Sequence, residues 1–195
     1  MDRRHKLSNV TKEYIEEYSC ILDKMIMGMT SAELGESISC NFINQMIPHH
    51  RGAIEMSENI LKYTTDITLQ SIAENIIVSQ KESIKNMDKI KCCCCETKNC
   101  SRDVWIYQNR TNQIMNVMFE KMGNAPVTNN INCDFIWEMI PHHMGAVEMS
   151  ENTLRFDICK GLVPILDEII KSQKKGIMEM HRLANVLGCR CGQCM

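Results

Sequence analysis

Apolar residues recur along this chain at steps of three and four, and strict alternation is absent. Tyr14, Ile21, Met25 and Met29 mark one face of a segment from Lys12 to Met29. A second segment, Asn41 to Lys62, carries Phe42, Met46, His49, His50, Ala53, Met56 and Ile60 on one side at about 100° per residue. Ile43, Ile47, Ile54 and Leu61 widen that face, while Asn44, Arg51, Glu55, Asn59 and Lys62 point away from it. A third segment, Ile67 to Lys91, has its stripe at Leu69, Ile72, Ile76, Gln80, Ile84 and Met87. Gly35 and the stretch Gly123-Asn124-Ala125-Pro126 interrupt the pattern. Three more helical segments follow, at Val104 to Met122, Asp134 to Arg155 and Leu162 to Leu187. The pattern predicts an all-α protein.

The second half repeats the first. Cys40 to Leu61 aligns without a gap with Cys133 to Leu154 at an offset of 93, and 16 of these 22 positions are identical. Similarity concentrates on the heptapeptide M-I-P-H-H-x-G and falls away on both sides. A repeat this long is one supersecondary unit used twice, not a solenoid. The expected organisation is a single domain over residues 1–195. Repeat one covers 11–91 and repeat two 104–187, with a Cys-rich linker at 92–103 and a Cys-rich tail at 188–195. Two such units make a helical bundle with pseudo-twofold symmetry.

Both histidine pairs, His49 with His50 and His142 with His143, fall on the apolar side of their helices. Pro48 and Pro141 lie beside them, each removing one backbone hydrogen bond. A lone inward histidine is more often a satisfied core residue than a ligand. Two adjacent pairs, reproduced 93 residues apart, shift that balance, because four buried imidazoles each need partners. A bound ion and a polar neighbour would satisfy them, and Gln80 and Gln173 sit where such neighbours could lie. Met46 and Met56 flank the first pair, and Met139 and Met149 the second.

Composition adds to this. The chain holds 16 Met and 12 Cys, and its formal net charge is -2. Near-neutrality gives no argument for nucleic acid or a membrane surface. Imidazole with thioether is a soft donor set, suited to Cu(I) more than to Mg, Ca or carboxylate-bound iron. A di-iron bundle would need Glu-x-x-His, and none occurs: Glu138 is four residues before His142, and its counterpart is Gln45. No catalytic constellation is found, and the chain is expected not to be an enzyme. Its polar start and the lack of a long apolar run point to a cytoplasmic protein. In that compartment the cysteines are expected to be reduced. Cys92, Cys93, Cys94, Cys95 and Cys100, with Cys189, Cys191 and Cys194 in the tail, then form a second candidate cluster for Cu(I) or zinc. Cys40 and Cys133, just before the second helix of each unit, are expected to be small buried residues or helix-entry positions, and Cys20 and Cys159 are uninformative.

The segments F-I-N-Q-M-I-P-H-H-R-G-A-I-E-M and F-I-W-E-M-I-P-H-H-M-G-A-V-E-M resemble the bacterial family called domain of unknown function 305. The later S-Q-K-E-S-I-K-N-M resembles a further element of that family. The resemblance implies a ferritin-like four-helix bundle built from two two-helix repeats, with the first helix of each unit added to it. It also implies copper binding through Met46, His49, His50, Met56 and Met87, and through Met139, His142, His143, Met149 and Met180. The function expected is Cu(I) sequestration or handling. Metal ions are the expected partners, with a second copy of the chain or a metal-exchange protein as candidate macromolecular ones. The alternatives are a ferritin-like redox enzyme, or a helical interaction protein with a structural zinc clip.

Overall fold

A computed structural model of the chain describes residues 7–189. It contains six helices: α1 (Asn9–Thr30), α2 (Ile38–Leu61), α3 (Ile67–Cys95), α4 (Ser101–Gly123), α5 (Ile131–Thr153) and α6 (Val163–Leu187). The starts follow from local chemistry. Side chains of Ser8, Ser37, Asp66 and Asn130 each accept a hydrogen bond from a first-turn amide of α1, α2, α3 and α5. Gly188, at φ 66°, ends α6 in the left-handed conformation. Asn41 and Asp134, expected near helix starts, lie one turn inside and clamp the preceding loop. Asn41 exchanges two hydrogen bonds with the backbone of Gly35, and Asp134 accepts from Thr128.

Helices α2, α3, α5 and α6 form the bundle. α2 packs on α3 and α5 on α6, while α2–α5 and α3–α6 contacts join the repeats. α1 lies against α2 and α4 against α5, the extra helices the repeat pattern predicts. One hydrophobic core runs through both repeats. Asn59, expected on the outer face, is instead buried; its amide donates to the Tyr14 carbonyl and so ties α2 to α1. Asn152 makes the same bond to the Tyr107 carbonyl in repeat two. Among the described residues no helix is long and apolar enough to cross a membrane.

The cysteines depart most from expectation. Cys92 to Cys95 form the last turn of α3, not a loop, so the linker between repeats is shorter than the sequence pattern gave. Nor are they all free. Cys95 is disulfide-bonded to Cys40, Cys94 to Cys159, and Cys133 to Cys189. The first and third bonds correspond in place, with Cys40 and Cys133 as repeat mates and Cys189 one residue beyond the mate of Cys95: each pins the start of the histidine helix to the end of the following helix. The second joins the two repeats. Cys20, Cys92, Cys93 and Cys100 are free and exposed. A Cys92–Cys95 thiolate cluster is therefore not present in this form, because two of its four members are oxidised with distant partners. Cys191 and Cys194 lie outside the described residues.

The Cys94–Cys159 bond closes a sequence separation of 65 residues. Cross-linking a loop of this size restricts the unfolded chain enough to give roughly 2–4 kcal/mol. Replacing both residues with Ala is expected to lower oxidised-state stability by about that amount in urea unfolding. An unchanged unfolding midpoint would show that the bond does not form in solution.

Candidate metal centre

The motif's helical register determines the site. His49 and His50 on α2, and His142 and His143 on α5, are all buried. α2 and α5 meet at the pseudo-twofold axis, where the His49 and His142 rings stack with centroids 3.7 Å apart and planes 32° apart. Each ring reaches across the axis. His49 Nε2 lies 3.2 Å from the His142 carbonyl oxygen, and His142 Nε2 lies 3.2 Å from the His49 carbonyl oxygen.

These reciprocal bonds set the tautomer. A carbonyl oxygen only accepts, so Nε2 of both rings must carry the proton. In the neutral ring Nδ1 is then a bare lone pair. Nδ1 of His49 and His142 has no hydrogen-bond partner, and neither does Nδ1 of His50 or His143. Leaving a buried polar atom unpaired costs about 1–3 kcal/mol, and four such atoms share one region of the core.

The outer rings differ between the repeats. His50 Nε2 is 3.0 Å from Ser83 Oγ on α3. The mate of Ser83 is Gly176, and the His143 ring lies directly over it. A Cβ at Gly176 would stand 2.9 Å from His143 Cδ2 and 3.0 Å from its Nε2. Gln80 and Gln173, expected to support the imidazoles, are buried but hydrogen-bond to none of them. Both polar atoms of the Gln80 amide, and Oε1 of Gln173, lack partners.

Thioethers are abundant in the same core. Met46, Met56 and Met87 from repeat one, and Met139, Met149 and Met180 from repeat two, are all essentially inaccessible. Two further methionines enter from the outer helices. A Cβ at Gly52 would fall 2.7 Å from Met25 Sδ and 2.8 Å from its Cγ, and one at Gly145 would collide in the same way with Met118 Sδ and Cγ. The motif's closing glycine is thus where α1 and α4 press a methionine onto the histidine helix. The signal was in the sequence, since Met25 and Met118 recur at the 93-residue offset and so do the glycines. Among the described residues, no three His, Cys, Asp or Glu side chains stand close enough to hold a metal ion. Any ion held here would need thioether ligands as well as imidazole.

Burial controls the electrostatics. It lowers the pKa of His50 to about 3 and of His142 to about 4, and holds His49 and His143 well below the ordinary value; nearby imidazoles add to the effect at His49, His50 and His143. Glu138, one turn before His142, is also buried, and burial pushes its carboxyl up to about 8 even though Tyr14 Oη donates a hydrogen bond to it. Its mate Gln45 carries no charge. Burial likewise raises Asp134 to about 6.

A comparison with known proteins matches a family model, Domain of unknown function (DUF305), over residues 17–91 and 39–184. The chain belongs to this family. Among solved structures it is similar to CopM in the Ag-bound form, at 26% identity and TM-score 0.58, covering 76% of this chain and 95% of that one. The apo form of CopM is similar at 27% identity and TM-score 0.57, covering 76% and 96%. A DUF305 fragment from Deinococcus radiodurans shares the fold at 22% identity and TM-score 0.56, covering 77% and 95%. Uncharacterized protein L153 of Acanthamoeba polyphaga mimivirus is 43% identical over 49 residues, which is 25% of this chain. The match spans about a third of that protein's length, 32%.

Two predictions arise from this geometry. The four histidines have folded pKa values below the unfolded value of about 6.5. Their contribution to stability is therefore complete above that pH and is lost as pH falls toward 4. Glu138 and Asp134 act in the opposite sense. Raised carboxyl values favour the fold below about 4.5, and that contribution fades by pH 6 for Asp134 and by pH 8 for Glu138. Four groups outweigh two, so stability should rise with pH to a maximum between about 6.5 and 7 and then decline slightly toward 8. Chemical unfolding across this range checks it; a flat profile below pH 6.5 would contradict the buried neutral imidazoles. The second prediction concerns Gly52→Ala. Removing a mid-helix glycine gains up to about 1 kcal/mol, but overpacking against Met25 costs about 1–3 kcal/mol. The net effect should be destabilising by about 1 kcal/mol, and the same substitution made in a Met25→Ala background should cost less, because the atoms it collides with are gone.

Proposed function

We propose that this protein binds a soft metal ion, Cu(I) in the cell, and holds it for sequestration or hand-over without catalysing a reaction. The observation that carries the reading is the set of four buried, unpartnered Nδ1 atoms in a core rich in methionine. On His49 and His142 these atoms are lone pairs, costly in an empty core and the donors that a soft cation takes, together with thioether sulfur. The silver-bound form of CopM, similar over 76% of this chain, supports the choice of a soft ion. Zinc is a weaker fit, since it seldom accepts thioether ligands.

Met46, His49, His50, Met56 and Met87, with Met139, His142, His143, Met149 and Met180, are the proposed ligand region. Met25 and Met118 extend it from α1 and α4. The stacked rings hold one nitrogen each against a carbonyl, so binding can use Nδ1 and leave the reciprocal hydrogen bonds intact. The exposed thiols would compete for the same ion at the surface. A reducing compartment would also free the six paired cysteines. The interior donors include none of these, so the reading is the same in either setting.

The test is anaerobic Cu(I) titration against a chromogenic chelator, on protein with Cys20, Cys92, Cys93, Cys100, Cys191 and Cys194 changed to Ser. Binding should persist and should vanish when His49, His50, His142 and His143 are all Ala. Bound Cu(I) should stabilise the fold by about 2.7 kcal/mol at a free concentration 100 times Kd. Equal binding without the four histidines would refute the reading. So would no binding at all, and the rings would then be packing elements.

A further inference from the structure

A cleft of about 470 Å³ opens between α3 and α6, and His50 lines it. The other three histidines do not. Ser79, Gln80 and Ser83 line one wall; Ile169, Ser172 and Gln173 line the other. Ser79 with Ser172, and Gln80 with Gln173, are repeat mates, so both halves of the molecule build the cleft.

Two features mark it as more than an imperfect seam. The first is the unpartnered amides. Gln80 and Gln173 are 2% and 3% exposed, and three of their four polar atoms lack hydrogen bonds. An apolar pair would close this helix contact at no such cost. Amides left open along a passage can instead replace the water that a cation sheds on its way in. The second is the hydroxyl at the inner end. Ser83 Oγ can donate to or accept from His50 Nε2. His50 can therefore take either tautomer, whereas Nε2 of His49 and His142 is committed to a carbonyl. His50 is thus the cleft-lining ring that can present Nε2 to something arriving through the cleft.

We propose that the α3–α6 cleft is the port through which the metal ion enters and leaves the bundle, with His50 as the first protein nitrogen it meets and the Gln80 and Gln173 amides lining its path. Loading is one-sided as a result. On the other side of the axis Gly176 packs against the His143 ring, which does not line the cleft. Glu82 and Glu168 at the mouth favour a cation, and Lys89, with Lys85 paired to Glu82, opposes it. The proposal rests on the metal-binding reading above.

The experiment follows aqueous Ag(I), supplied as nitrate to apo protein with alkylated free thiols, by stopped-flow ultraviolet absorbance. Ser79→Trp places a bulky ring at an exposed position of the cleft wall. It should slow uptake by about tenfold and leave the final Ag(I) stoichiometry unchanged. A double reversal, Glu82→Lys with Glu168→Lys, alters only exposed side chains and keeps the proposal testable if the Trp variant folds poorly. It should slow uptake by about tenfold at low salt, while the same reversal at Glu13 and Glu16 on α1 should not. Wild-type rates in both cleft variants, with full stoichiometry, would overturn the port and leave the metal reading intact. Absence of Ag(I) uptake by the thiol-alkylated protein without substitutions would overturn the metal reading, and the port with it.

Discussion

The reciprocal His49–His142 contact is the constraint on which the rest of the interior depends. Two rings stacked 3.7 Å apart, each bonded to the other's backbone, bring α2 and α5 together at a fixed register. The stack is possible only if both rings are neutral, because two adjacent imidazolium ions would repel at this distance in a low-dielectric core. Burial enforces neutrality by opposing charge on both rings. Neutrality with Nε2 protonated then fixes where the unused lone pairs lie. Fold geometry and donor chemistry are two results of one contact.

Around that symmetric contact the repeats have diverged where the surroundings differ. Gln45 faces the neighbourhood of Met29 and Met115, while its mate Glu138 is a buried acid bonded to Tyr14. Ser83 gives His50 a polar partner, and Gly176 gives His143 close packing instead. Gly28 lets α1 approach Pro48, where a Cβ would fall 2.8 Å from the proline Cβ; its mate in α4 is Lys121. The scaffold is repeated and its polar fittings are not. A symmetric scaffold whose α3–α6 cleft is lined by His50 and not by His143 gives the two histidine pairs different surroundings without changing the helices that carry them.

Much of this was legible in the sequence. The six helices follow from apolar spacing, because a helix that buries one face must repeat it every three or four residues. The histidines were placed inward by the same count. The sulfur network was not legible, because disulfide pairing depends on which helix ends meet in space. Cys40 and Cys95 come together only once α2 and α3 pack antiparallel, and Cys94 finds Cys159 only when both repeats are assembled. The four consecutive cysteines read as a loop because thiols carry little helix signal, whereas they complete the last turn of α3. Asn59 shows the converse limit: a polar residue beside the apolar face was assigned outward, but the covering helix supplied a carbonyl that made burial favourable. The role of Ser83 could not be read either, since its repeat mate is a glycine and the repeat gave no reason to single it out.

Methionine makes the functional assignment hard from sequence and clearer from structure. A buried thioether is a good core filler because it is flexible and nearly apolar, and a good soft-metal donor because it is polarizable and carries no proton. One residue type thus satisfies the apo core and a metal-bound core, and its abundance cannot separate the two. Imidazole has no such neutrality of purpose. Each buried ring must place two nitrogens, and here only one of each inner pair is placed. Were the histidines retained for packing alone, a phenylalanine or leucine pair would stack at the axis without leaving lone pairs unpaired. The methionines therefore permit a metal site, and the unpaired nitrogens supply the physical reason to infer one.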